Sequence, residues 1–155
     1  MKRTPRRVSR RTVAILASAI IATVLVAIAF VLTKPRWVGE GDWAACAEIA
    51  TVRPAEAAET AARQEGVDLW SYRAHVRPAF VNATGWVFPV TCSQGMAVVD
   101  PHGSQLPESY RGGDGREHFT WAVSLGKEWE LCGGPPMYID WETGHPVFTP
   151  EPLRC

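Results

Sequence analysis

Between Val13 and Leu32 the chain reads VAILASAIIATVLVAIAFVL, twenty residues without a charge, a glycine or a proline. Wound as a helix, such a run rises about 30 Å, the thickness of the hydrocarbon core of a bilayer. Its most polar members, Ser18 and Thr23, can return their hydroxyls to the helix backbone. The run predicts a transmembrane anchor, with the lipid bilayer as its first partner. The flanks predict its direction. Lys2, Arg3, Arg6, Arg7, Arg10 and Arg11 precede it with no acid among them, whereas Lys34 and Arg36 are followed by Glu40 and Asp42. The positive-inside rule places residues 1–12 in the cytoplasm and residues 33–155 outside. Trp37 is expected at the membrane interface, beside Lys34 and Arg36 reaching for headgroups.

The alternative is a cleaved signal peptide, with Ala27-Ile28-Ala29 as an A-x-A site and the mature chain starting at Phe30. Against it, the run stays apolar through Phe30, Val31 and Leu32, where a cleavage region turns polar. Arg10-Arg11 also resembles a twin-arginine signal, but paired arginines recur in this basic arm at Arg6-Arg7. Within the anchor, Ala14, Ser18 and Ala22 form a small-residue stripe at four-residue spacing, a candidate helix–helix contact.

The chain as a whole has no net charge, which hides an asymmetry. Residues 35–155 carry nine basic against sixteen acidic residues, net −7, and that argues against nucleic acid as a partner. Arginine outnumbers lysine and Ala, Gly and Pro are plentiful, a composition associated with GC-rich bacterial genomes. All four cysteines, Cys46, Cys92, Cys132 and Cys155, follow the anchor. An even count in an oxidising compartment predicts two disulfides, and the absence of CxxC spacing argues against a redox or zinc motif.

Residues 33–41 read as a tether and residues 42–155 as one extracytoplasmic domain. Asp42 is placed to cap a helix over WAACAEIA. Pro54 suits the first turn of a second helix, AEAAETAARQE, with Thr51 as a cap further back and Gly66 as its stop. From Leu69 the period becomes two. Trp70, Tyr72, Ala74 and Val76 alternate with Ser71, Arg73, His75 and Arg77. Trp86, Phe88, Val90 and Cys92 share one face of the next strand, where Pro89 implies an edge or a bulge. A three-residue connection, Ser93-Gln94-Gly95, would set Cys92 opposite Met96 and Val90 opposite Val98. Residues 101–116 read as a long polar loop. Phe119, Trp121, Val123 and Leu125 point inward, followed by Trp129 and Leu131 after a loop or bulge near Gly126-Lys127. A last hairpin turns around Glu142–His145. The expected fold is α+β, with two short helices on an antiparallel β-meander of five to seven strands, stapled by disulfides. Helix and strand phase predict the pairs Cys46–Cys92 and Cys132–Cys155.

No motif fixes a reaction, cofactor or metal. Asp100, His102 and Ser104 imitate a hydrolase triad but sit within five positions of one loop, where Asp-Pro-His-Gly is turn chemistry. His75, His102, His118 and His145 lack metal-ligand spacing. Strand phase assigns Trp70, Trp86, Trp121 and Trp129 to the core, leaving Trp43 and Trp141 to line a groove. Asn82-Ala83-Thr84 is a sequon, relevant only in a glycosylating host. Arg73, His75 and Arg77 form an outward row about 7 Å apart on one strand, a cationic exception in an acidic domain. They are the candidate partner-binding residues, for an anionic protein patch or envelope polymer, with pairing to Glu128 or Glu130 as the ordinary alternative. The expectation is a single-pass extracytoplasmic interaction module. The alternatives are a small exported hydrolase using His102 or His118, or a secreted binding protein if Ala29 is a cleavage point.

Overall fold

The computed structural model describes residues 10–33, 37–127 and 134–151. The chain forms two compact units, divided between Pro35 and Arg36. The first contains α1 (Arg10–Thr33), 24 residues long. The side chains described within it, residues 18–29, are all exposed, including Ile20, Ile21, Val24, Leu25, Val26 and Ile28. Thr23 donates its hydroxyl to the Ala19 carbonyl at 2.9 Å, the internal satisfaction expected of it. Among the described residues no helix is long and apolar enough to cross a membrane. Those side chains are only the middle of the twenty-residue apolar run. Ser18 and Ala22 are exposed, and the Ala14 side chain lies outside the described set.

The second unit is α+β. Among the described residues, helices α2 (Trp43–Ala47) and α3 (Pro54–Glu65) accompany nine strands, against the five to seven expected. These are β1 (Trp37–Gly39), β2 (Tyr72–Val81), β3 (Trp86–Ser93), β4 (Met96–Val99), β5 (Ser104–Gln105), β6 (Tyr110–Gly112), β7 (His118–Lys127), β8 (Met137–Asp140) and β9 (Pro146–Pro150). The sheet runs β4-β3-β2-β7-β8-β9-β6, with β1 beside β2 and β5 beside β3. Every pair is antiparallel except β1 with β2.

At its centre β2 pairs with β7 without a break, from Tyr72 opposite Lys127 to Val81 opposite His118. Alternation sorts these side chains onto two faces. One face carries Ala74, Val76, Trp121 and Val123, with Met137 and Ile139 from β8. Ala57, Ala58 and Ala61 of α3 are fully buried against that core. With only methyl groups on its inner side, α3 can settle close to the strands. Pro54 opens α3, and Gly66, at φ 66°, ends it in the left-handed conformation that glycine adopts without a steric penalty. The N-cap is Arg53 rather than Thr51, and Glu56 reaches back to the Arg53 N–H at 3.2 Å. Asp42 occupies the N-cap position of α2 without a side-chain capping bond. The predicted Cys46–Cys92 disulfide is present and ties α2 to β3.

Several expectations are corrected. Trp37–Gly39, read as tether, is β1, a parallel neighbour of Ala74–Val76. Trp37 therefore packs on the core, edge-on to Trp43 with ring centroids 4.8 Å apart, instead of standing free for the interface. The β3–β4 hairpin turns on two residues, not three. Gln94 and Gly95 both take positive φ, 52° and 73°, and the pairing becomes Cys92 with Ala97 and Val90 with Val99. Met96 and Val98 are thereby left outside, 62% and 53% exposed. Trp70 is 71% exposed because the strand starts later than its pattern suggests. The Asp68 carboxylate takes the backbone N–H groups of Trp70 and Ser71 and makes a turn there. The polar loop 101–116 contains β5 and β6, which lie on different parts of the sheet. Pro89 sits in β3 where the outer pairing is interrupted: β4 stops at Val90, β5 resumes at Val87, and Asp100 N–H bonds the Pro89 carbonyl. Gly126 and Lys127 continue β7 rather than turning. Glu128, Trp129, Glu130, Leu131, Cys132 and Cys155 lie outside the described residues, so Cys132–Cys155 does too.

Candidate functional site

Alternation on β2 turns Arg73, His75 and Arg77 to the face opposite the helices. Their partners across the ladder on β7 are Gly126, Ser124 and Ala122. All three are small, so the row rises over a low floor. On the other side of β2, Val38 stands opposite His75. Glu40, which closes β1 through its N–H to the Val76 carbonyl, sets its carboxylate 2.8 Å from His75 Nδ1. Among the described residues, the acid paired with His75 is Glu40, from a segment read as linker. This pair is half-exposed, a geometry of modest energetic worth.

Beyond Arg77 the same face closes over. Ala79, Val81, Ala122 and Tyr138 are covered by Val87, Leu106, Tyr110 and Phe148. The Tyr110 hydroxyl donates to the Pro136 carbonyl at 2.9 Å. Burial raises the Tyr110 phenol well above its ordinary range and the Tyr138 phenol in the same direction, against the opposing pull of the Arg77 charge. Arg77 therefore belongs to the electrostatic surroundings of this lid of aromatics as well as to the outward row.

A second cluster lies at the start of β7. His118 is held between two carboxylates: Nδ1 faces Asp140 Oδ2 at 2.6 Å and Nε2 faces Asp114 Oδ1 at 2.9 Å. The other Asp140 oxygen accepts the N–H groups of Glu142 and Thr143 at 2.9 and 2.7 Å and the Thr143 hydroxyl at 3.0 Å. Desolvation works against a charged His118, but the two carboxylates outweigh it and raise the imidazole above its usual value. Asp114 is held below its usual range chiefly by its bond to His118. Burial alone would raise Asp140, yet the Thr143 backbone bond, with help from His118, brings it below the usual range. Clefts of about 490 and 410 Å³ flank the cluster, and Arg116, His118, Asp140 and Thr143 line both.

In chemical terms this is an ion-paired pin. Both ring nitrogens of His118 meet carboxylate oxygens, so neither is left to take a proton from a nucleophile. The nearby Thr143 hydroxyl is itself spent on Asp140. The sequence singled out His118 but not Asp114 or Asp140. Asp140 is 22 residues away and meets it only through the β7–β8 pairing. The cluster Asp100, His102 and Ser104 is turn chemistry, with Asp100 accepting the His102 backbone N–H at 2.8 Å and Ser104 paired in β5. Among the described residues no group of three or more His, Cys, Asp and Glu is arranged to hold a metal. Trp141 is buried, stacked on Phe119 and against Trp121, and is among the residues lining the larger cleft, whereas Trp43 packs partly buried on the core.

Comparison of the chain with known protein families, with curated proteins and with solved structures finds no match.

Proposed function

We propose that this chain is a single-pass membrane-anchored extracytoplasmic interaction module, with its N-terminus in the cytoplasm. The observation that carries the reading is the pairing of two features. The described side chains of α1 are exposed and, apart from Ser18 and Thr23, apolar, and the second unit is cross-linked by Cys46–Cys92, a bond that persists in oxidising compartments. The exposed apolar side chains find their solvent in lipid, and the twenty-residue run around them has the length of a bilayer core.

In this reading the working surface is the row Arg73, His75 and Arg77, which meets an anionic protein patch or envelope polymer. Its support is local: three cationic or titratable side chains stand over the small residues Gly126, Ser124 and Ala122, in a part of the chain with net charge −7. The hydrolase reading is less well supported, because His118 has both nitrogens engaged. Crosslinking in intact cells, followed by capture of the full-length chain, tests the assignment. Arg73→Glu with Arg77→Glu should abolish capture of the partner while the chain still folds, exports and keeps Cys46–Cys92. Raised salt should weaken the wild-type contact, since exposed charges are screened. Unchanged capture and salt response in the double variant would return the row to ordinary surface.

A further inference from the structure

The sheet ends at β4, and among the described residues no strand pairs with its outer edge. Along an antiparallel pair the residues that bond to the neighbour alternate with residues that face away. The Asp100 N–H bonds the Pro89 carbonyl, so Val98 and Met96, opposite Thr91 and Ser93, also bond inward to β3. Ala97 and Val99 therefore direct their N–H and C=O groups to the open edge, where no hydrogen bond among the described residues uses them. Met96 and Val98 are exposed on the outer face of the same strand. Edge strands are ordinarily guarded by a charge, a proline or a bulge. β4 has none of these: it reads Met-Ala-Val-Val, and its register on β3 is unbroken. The whole stretch 78–99 lacks a charged residue in a chain that is 21% charged.

We infer that β4 is a pairing edge for a second copy of this chain, the two β4 strands lying antiparallel about a two-fold axis beside Val98. The backbone sets the axis. With Ala97 opposite Val99 of the second copy, outward residues meet outward residues and both pairs stay within the strand. An axis at Ala97 would instead set Val99 against Gly95, which is spent in the hairpin turn at φ 73°. The pairing engages every outward N–H and C=O group of Ala97 and Val99. It also brings Val98 against Val98 of the second copy, with Cα atoms about 4.5 Å apart, and takes both side chains out of water. Charge chooses the occupant. Residues 35–155 carry net −7, so a foreign strand suited to this unit would be basic and would need acids beside the edge, and the stretch 78–99 offers none. Two copies repel one another except where acids are absent, and this edge is such a place. Area sets where the pair forms. Four residues from each copy bury far less than the roughly 1,200–2,000 Å² of a stable free-standing interface. The pair therefore needs the raised effective concentration of copies held in one bilayer. In that requirement the inference rests on the anchor reading.

The test is disulfide trapping of the full-length chain in isolated membranes treated with an oxidant. The wild-type chain, with its native cysteines, sets the background. Val98→Cys should give a reducible dimer roughly fivefold or more above Met96→Cys, because the two positions 98 fall within the Cα reach of a disulfide. The two positions 96 lie four residues of strand rise apart, about 14 Å. Both substitutions are at exposed side chains and leave the core untouched. Adding Ala97→Pro to Val98→Cys removes an outward N–H that β3 does not use, so the dimer should be lost while Cys46–Cys92 is retained as the sign of a folded unit. Equal trapping at the two positions would overturn the pairing, as would trapping that survives Ala97→Pro. An adduct of Val98→Cys whose mass is not twice that of the chain would give the edge to a foreign strand and overturn the second copy as its occupant. In each of these cases the anchor reading stands. A chain absent from the membrane fraction would overturn the anchor reading and the pairing together.

Discussion

From the same two strands, β2 and β7, the sheet presents two different surfaces. On one, Ala74, Val76, Trp121 and Val123 meet two helices and a disulfide. On the other, Arg73, His75 and Arg77 stand beside Gly126, Ser124 and Ala122, and a second cluster covers Ala79, Val81 and Ala122. The difference shows how a chain with a modest core divides its labour. Trp121 and Trp141 lie in the core that the helices close over, and Tyr110, Tyr138 and Phe148 in the smaller cluster on the other face. Small residues on the opposite face of β7, Gly126, Ser124 and Ala122, keep the ladder continuous beside the cationic row. Stability should therefore be lost mainly through the first face, and recognition through the second.

The largest effect is expected at Trp121, which is fully buried and donates its indole N–H to the Val52 carbonyl at 2.8 Å. Trp121→Ala should cost about 3–5 kcal/mol, read by urea unfolding, from the lost packing and the cavity left behind. Next comes the cross-link on the same face. Replacing Cys46 and Cys92 together by alanine should cost about 2–4 kcal/mol, because the bond closes a long loop in the unfolded chain.

His118 and Asp140 put a smaller, pH-dependent effect on the second face. Asp140→Asn should cost about 1–3 kcal/mol near neutral pH, since the bonds from Thr143 and Glu142 then meet a poorer acceptor and His118 loses its buried partner. The direction with pH follows from the shifts. His118 is raised, so its contribution is full below its ordinary value near 6.5 and disappears as pH climbs through the raised one. Asp114 and Asp140 are lowered, so theirs is full above the usual carboxylate range and disappears as pH falls through the lowered values. Thermal unfolding should therefore show a stability plateau in mildly acidic solution, with the alkaline decline reduced in Asp140→Asn. A profile identical to wild type would remove His118 from the account. Smallest of all, Arg73→Glu with Arg77→Glu should change stability by no more than about 0.5 kcal/mol. A larger loss would mean that the row is a structural element and would blur the contrast between the faces.

Much of this division was readable in the residues. The two-residue period across Ala74, Val76, Trp121 and Val123 identifies both central strands and their inner face. Pro54 and Gly66 bracket α3, and phase alone pairs Cys46 with Cys92. What escaped depends on contacts remote in sequence or on unusual backbone. Three residues, Trp37–Gly39, are too few to show a period, and their strand exists only because β2 offers a parallel edge. The hairpin register turns on Gln94 adopting positive φ, uncommon for any residue other than glycine, and a single step of slip exchanged Ala97 for Met96. β5 and β6 are similarly short. The Asp114–His118–Asp140 cluster requires β8 to lie beside β7, which no local spacing announces.

The claim on which the rest depends is that the second unit stands outside a membrane that α1 crosses. Protease added to intact cells carrying the full-length chain with an N-terminal tag tests it directly. The account predicts that the extracytoplasmic unit is digested from outside, leaving a short tagged stub of arm and anchor in the membrane fraction. A domain that stays intact until the cells are lysed, or a chain beginning at Phe30 and free in the medium, would contradict it.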